Sequence, residues 1–375
     1  MKCIQCGTDN NLKDRTANQG RCKNCNHRFA FEPTAMSSKI RFTDQFFAKL
    51  IKDISFNNTL YFTPKQFFYL LEKRLAKKEM KTAAGGTIGC GGILIFFGFF
   101  LVAIGIGWLL IVIGFVLLLI GWQQSRRQPK SPRTLLINQS MTEEWLQRWS
   151  QANPDPEKLL QQSPREPYTP ATISSDVTAY SFDRLVVCDS AEIAQMLIAN
   201  NFHFDNNCAI LSITGYPQNI FDTTIQMLRR NPDLQVYGLH DCSPSGMELV
   251  HQLQTDPDWF AQSNVVIVDV GLLPRQIMAT KREMLVQVSE ASATAAKALP
   301  MEIRQKLLAS ELEWLESGKF VELESFTPLG LIQILNRSIV KSRELGSESS
   351  DLILVDDSGT DSDRDNYFYV IDSFG

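Results

Sequence analysis

Two Cys-x-x-Cys pairs, Cys3 with Cys6 and Cys22 with Cys25, carry the most specific chemistry in the chain. A two-residue spacer lets both thiolates of a pair reach one ion while the intervening amides turn toward the sulfurs. Two such pairs supply the four soft ligands of a tetrahedral structural Zn²⁺ site, so residues 1–30 read as a zinc ribbon. Gly7 and Asn26 follow the pairs at turn positions, where tolerance of positive φ is useful. Four thiolates leave no open coordination position, which makes such a site structural rather than catalytic. His27 is an alternative ligand, but beside four cysteines it reads as a surface residue. A redox pair would call for one motif inside a βαβ unit, and two motifs are present.

A second set of reactive side chains falls where short apolar runs end. Arg184–Cys188, Cys208–Ile213, Gln235–Leu239 and Asn264–Asp269 read as buried strands. They alternate with helical stretches at 191–199, 219–230 and 245–253. That alternation predicts a parallel α/β sheet. Polar residues at the carboxyl ends of such strands line the crevice where ligands bind, and here those ends carry Asp189, Gly215, His240 and Asp241.

These residues resemble a family. Gly215-Tyr216-Pro217, the run from Leu239 to Met247 (LHDCSPSGM) and Val270-Gly271-Leu272-Leu273-Pro274 occur in the order and spacing of a Toprim domain. The likeness is to the Toprim domain of the topoisomerase VI A subunit and of the related meiotic break-forming protein. It continues through residues 311–319 and Glu322-Leu323-Glu324-Ser325, covering about 181–340. The family holds Mg²⁺ with a glutamate after the first strand and an Asp-x-Asp after the third, because a hard cation wants oxygen ligands. At those places this chain has Cys188, then Asp241 and Ser243. Asp189 and Glu192 are close enough to substitute but stand off the family positions. One carboxylate with a hydroxyl makes a poor Mg²⁺ site, and the resemblance therefore implies a degenerate one. The family's catalytic tyrosine lies on a winged helix ahead of Toprim; Thr63–Tyr69 is similar to that segment and sets Tyr69 at the matching place. An aromatic cluster on a helix is more often core, so Tyr69 is a candidate only.

The elements that must position these groups begin with residues 38–81. Thr43 reads as the N-cap of a helix bearing Phe46, Phe47, Leu50 and Ile51; Thr63-Pro64 opens a second bearing Phe67, Phe68, Leu71 and Leu75. This is a helical or winged-helix-like module, or a packing platform. Residues 85–122 follow, an apolar block without Asp, Glu, Lys, Arg, His or Pro. A bilayer span needs about 20 apolar residues and this block is nearly twice that. Basic residues flank it on both sides, Lys73, Arg74, Lys77, Lys78 and Lys81 before, Arg126, Arg127, Lys130 and Arg133 after. The expectation is a two-helix transmembrane hairpin in the cell membrane, turning near 103–107, with both termini cytoplasmic. Gly92, Gly98, Gly107, Gly114 and Gly121 would let the two helices approach closely.

Residues 123–178 are rich in Gln, Ser and Pro and read as a linker. Within them Ser140 and Glu143 have capping-box spacing and open a short helix with Trp145 and Trp149 on one face. That helix would lie on the bilayer or dock on the domain that follows. Residues 179–341 are the Toprim-like domain, and 342–375 an acidic tail. In the tail Asp361, Asp363 and Asp365 mimic a calcium loop that lacks its glycine.

The chain has 375 residues, a net charge of −4 and eight cysteines. Bulk charge gives no reason to expect nucleic-acid binding, which would need a local patch such as Arg229, Arg230, Arg275, Lys281 and Arg282. The scattered cysteines form no disulfide framework and suit a reducing compartment. The leading expectation is a membrane-anchored, non-catalytic cytoplasmic binding protein with a degenerate Toprim-like domain and a structural zinc. Its partners would be the bilayer and a ligand, nucleic acid or protein. One rival is a Mg²⁺-dependent nuclease or strand-cleaving enzyme at the membrane; another is a membrane scaffold or sensor acting through protein partners.

Overall fold

Each apolar run of the C-terminal half forms a strand: β1 (Arg184–Cys188), β2 (Cys208–Ser212), β3 (Gln235–Leu239) and β4 (Val266–Asp269). The computed structural model describes residues 1–101, 107–126, 135–161 and 182–345, apart from Asn219, Arg230, Pro232, Gln262 and 281–283. The four strands lie in the order β2-β1-β3-β4, all parallel. Alternate residues feed opposite faces. Val186, Cys188, Ile210, Tyr237 and Leu239 point into one core, while Leu185, Val187, Ala209, Leu211 and Val236 point into the other. Burial on both faces is why the runs are apolar without alternation.

Helices cover each face. On the first are α6 (Ala191–Ala199), α10 (Pro274–Ala279), α13 (Ala309–Glu316) and α14 (Pro328–Leu345), contributing residues such as Ile193, Ile277, Leu315 and Leu331. On the second are α8 (Phe221–Leu228) and α9 (Pro244–Thr255), through Ile225, Leu228, Leu249 and Leu253. The short α7 (Phe202–Asp205), α11 (Glu290–Lys297) and α12 (Met301–Lys306) complete this unit. So does an antiparallel pair, β5 (Gln287–Val288) with β6 (Lys319–Phe320). The expected mixed α/β architecture with a parallel sheet is what forms.

The N-terminal half builds a separate aromatic core. After α1 (Leu12–Ala17) come α2 (Asp44–Ile54) and α3 (Pro64–Leu101). Phe31, Phe42, Phe47, Leu50, Phe62, Phe67, Leu71 and Leu75 are all buried there. α5 (Gln139–Ser150) closes this core: Trp145 meets Phe42 edge-on at 5.0 Å, and Trp149 lies 5.2 Å from Phe47. The tryptophans dock neither on a bilayer nor on the following domain. They cover the module that precedes them. Asn138, two residues ahead of the expected cap Ser140, is the true N-cap, its Oδ1 accepting from Met141 N at 2.8 Å. Residues 135–161 therefore do more than link. Leu136 and Ile137 N–H groups donate to the buried Glu72 carboxylate at 3.0 and 3.1 Å, and Leu160 N donates to Phe62 O at 2.9 Å.

The apolar block required the largest correction. It is divided between the end of α3 and α4 (Gly107–Arg126), which pack along each other. Gly91 and Gly114 mark the closest approach: a β-carbon on either would come 2.7 Å from the other's carbonyl oxygen. Of the expected glycines Gly114 lies at this contact, with Gly91 and not Gly92 as its partner, and the transmembrane reading is not supported. Among the described residues no helix is long and apolar enough to cross a membrane. α3 begins as the core helix of the aromatic unit, carrying charged residues along its first half, and only its second half belongs to the apolar block. The described parts of the block, 85–101 in α3 and 107–122 in α4, each fall short of the about 20 residues a span requires. The expected cell-membrane location, and the cytoplasmic placement of the termini derived from it, fall with the spans. The anticipated turn at 103–107 lies outside the described residues except for Gly107, as do Arg127, Lys130 and Arg133. From residue 346 onward the acidic tail, with Asp361, Asp363 and Asp365, also lies outside them.

Candidate functional sites

The four N-terminal cysteines converge. Their sulfurs all lie within 4.8 Å of one another, with Cys3 3.6 Å from Cys25 and Cys6 3.6 Å from Cys22. Each pair is bent by the same turn: Gly7 N donates to Cys3 O at 2.9 Å, and Asn26 N to Cys22 O at 3.0 Å. Gly7 and Asn26 hold φ of 72° and 61°, which explains the residue types found there. Asn10, fully buried, ties the two knuckles together. It donates to Thr8 O at 2.9 Å and accepts from Lys23 N at 2.9 Å. Arg15 then clasps Glu32 through two bonds of 2.8 and 3.0 Å, drawing the glutamate down to about 2. Asp44 accepts from Ala30 N and Phe31 N, each at 2.9 Å, and so anchors this unit on α2.

Electrostatically the thiols resist simultaneous ionisation. Thr8, through its hydroxyl and amide, draws Cys6 down to about 5. At Cys25 the His27 amide pulls downward, but desolvation and the neighbouring sulfurs prevail and push it up to about 12. A dication among them would remove that repulsion. The residues present fit a metal ion: four soft donors, preset by turns, with a buried supporting amide. His27 is not the surface residue expected. It is half-buried, and its Nε2 has no partner among the described residues.

The carboxyl end of the sheet holds a second cluster. Asp189 follows β1, and its Oδ2 accepts from Asp241 N at 2.6 Å. Asp241 follows β3, and its Oδ1 accepts from Leu323 N at 2.6 Å. A 3₁₀ turn at Leu323–Ser325 is laid there because Cys242 and Val321 exchange backbone bonds of 2.9 and 3.0 Å. That places Glu322 and Glu324 beside the two aspartates. Across from them stand the first turns of α3, opened by a reciprocal cap between Thr63 and Gln66 (3.0 and 3.1 Å). Lys65 Nζ reaches Glu322 Oε1 at 2.8 Å and Glu324 Oε1 at 3.8 Å. The Tyr69 hydroxyl donates to Glu322 Oε2 and accepts from Gln287 Nε2, the latter at 2.7 Å.

Crowding decides the protonation here. Burial raises Asp189, and burial with the charge of Asp189 raises Asp241 well above the usual carboxylate range. Burial pushes Glu324 up to about 7, against the pull of Lys65 and with the push of Glu322. Behind them His240 bonds Asp269 Oδ1 through Nε2 at 3.0 Å and meets Asp241 O through Nδ1 at 2.8 Å. Burial lowers its pKa, but the Asp269 charge and hydrogen bond outweigh this and lift it to about 9.

Several expected site residues do something else. Ser243 caps α9, its Oγ accepting from Gly246 N at 3.1 Å. Glu192 is exposed on the first turn of α6, and Cys188 is buried in the sheet. Tyr69 is only 4% exposed, and burial beside Glu322 raises its hydroxyl pKa, the reverse of what a nucleophile needs. The donor set does not fit Mg²⁺: one oxygen each of Asp189, Asp241 and Ser243 is taken by a backbone amide, and although Asp189 Oδ1 is buried without a partner, no second and third acidic oxygens converge on it among the described residues. Among the described residues the four cysteines are the one group whose ligand atoms lie close enough to share an ion. Of the proposed basic patch, Arg229 donates to Trp259 O and Pro257 O at 2.8 and 2.9 Å, and Arg275 faces Glu311 at 3.6 Å. Arg230, Lys281 and Arg282 lie outside the described residues.

Sequence reasoning passed over Lys65, Gln287, Glu322 and Glu324 as a site. The cap at Thr63 was a signal for where α3 starts, and Glu322-Leu-Glu was noticed only as part of a series. What these sites define is an α/β protein with a Cys₄ centre and an acidic sheet end closed by a lysine from another unit. No protein-family model matches the chain, and no curated protein matches it.

Proposed function

We propose that this is a non-catalytic binding protein, built from a structural zinc centre, an aromatic helical unit and a degenerate Toprim-like α/β unit. The observation that carries the reading is Lys65. Its ammonium lies against Glu322 and Glu324, at the strand ends where the resembling family concentrates Mg²⁺. A lysine there offers a positive charge but no open coordination position, so it holds two units together without supplying the Lewis acidity of a bound Mg²⁺. Zn²⁺ is the ion assigned to Cys3, Cys6, Cys22 and Cys25, because thiolate tetrads select soft or borderline metals. Bound there, it would stabilise the two knuckles and expose no coordination position. A protein partner is favoured over nucleic acid, since Arg229 and Arg275 are engaged internally.

The test uses the full chain. With Mg²⁺ or Mn²⁺ it should neither cut nor relax supercoiled DNA, and Asp241→Ala should leave folding and any captured protein partner nearly unchanged. Metal-dependent cleavage that disappears in Asp241→Ala would overturn the reading.

A further inference from the structure

We infer that docking of the first two turns of α3 onto the acidic sheet end is a proton-sensitive latch, tightened as the cluster takes up protons. The inference stands apart from the zinc and from the Toprim-like reading, since it rests on contacts between two units of this chain. One ammonium, Lys65, meets two carboxyls, Glu322 and Glu324, whose segment is held against the sheet end by the bond from Leu323 N to Asp241 Oδ1. Glu324 is the most enclosed of the two ion-pair partners, its side chain 4% exposed against 18% for Glu322. Tyr69 adds a hydroxyl that bonds Glu322, and Gln287 a neutral amide. His240, behind Asp189, stays charged through neutrality because Asp269 holds its proton. Undocking α3 would return Glu324 to water and remove its cation.

The sign follows from Glu324, the carboxyl that the docked helix encloses most fully. Glu324, ordinarily 4.5, stands at about 7 when docked. Below 4.5 it is protonated docked or undocked, and docking is at its tightest. As pH rises toward 7 the undocked form gives up the proton first, so docking weakens; above 7 the cost is fully present. The contact also has unlatched supports that keep the units associated, including Asn200 to Tyr61 N and O at 2.8 and 2.9 Å. The latch therefore modulates the docking and does not create it.

The experiment is hydrogen exchange of the full chain, corrected for intrinsic rates, at several pH values from about 5 to about 8. Peptides covering 64–76 and 319–326 should lose on the order of fiftyfold in protection over that range, close to two pKa units of linkage. Peptides covering α8, on the opposite face of the sheet, should not change. Glu324→Gln should flatten the dependence and hold the protection near its low-pH level. Flat protection in the wild type, or an unchanged slope in Glu324→Gln, would overturn the inference. Should that variant fail to fold, carboxyl-carbon NMR of glutamate-labelled wild type decides. One glutamate titrating near 7 supports the latch, and none above about 5.5 refutes it.

Discussion

Gly271 lies directly against the imidazole of His240: a β-carbon there would come 2.3 Å from Cδ2 and Nε2 of the ring. The same glycine donates its N–H to Asp269 Oδ1 at 2.9 Å, the oxygen that His240 Nε2 also reaches. Neither neighbour can retreat, because His240 is fully enclosed between β3, β4 and α9. Gly271→Ala should therefore destabilise the α/β unit by about 3 kcal/mol, at the upper end of overpacking costs. The check is a lower urea midpoint at unchanged m. A variant as stable as the wild type would mean the ring has room to move.

The His240–Asp269 pair makes stability pH-dependent on the alkaline side. His240 ordinarily titrates at 6.5 and is lifted to about 9, so its contribution is complete below 6.5 and is lost as pH rises through 9. The size is on the order of 3 kcal/mol. Urea titrations from pH 6 to pH 10 should show the fall, and His240→Ala should be less stable at neutrality and lack it.

Metal content should be one zinc per chain by elemental analysis. Cys6→Ser or Cys22→Ser should lower it and loosen residues 1–30, seen as lost amide protection, because binding energy at such a site is folding energy. The core around Phe47 and Trp149 should keep its protection, since Asp44 and the aromatic contacts hold it independently of the metal.

The helix pair depends on Gly91 and Gly114. A β-carbon at Gly114 would also sit 2.6 Å from the Ile95 side chain, so Gly114→Leu must separate α3 from α4. Spin labels at positions 93 and 116 should move apart by several ångströms, at a cost of about 1–3 kcal/mol. An unchanged distance would show that the helices meet by another face.

What the sequence determined by itself was local. The spacing of the cysteines, the caps at Thr43 and Thr63, and the strands Arg184–Cys188 and Gln235–Leu239 follow from short-range sterics and hydrogen bonding, which neighbours in sequence settle. The order of strands and helices was legible for the same reason. Which surfaces meet was decided only by tertiary structure. Trp145 and Trp149 look alike whether they face lipid, a later domain or the phenylalanines of an earlier one, because burial has no direction in sequence. Lys65 and Glu322 are 257 positions apart, and nothing local to either marks the other as its partner. Ser243 and Asp241 kept the appearance of a metal motif, yet whether an oxygen is free to bind an ion depends on which amide reaches it first. The apolar block misled for a related reason. Composition counts apolar residues along the chain, whereas the fold divides them between one helix already committed to a core and a second packed beside it.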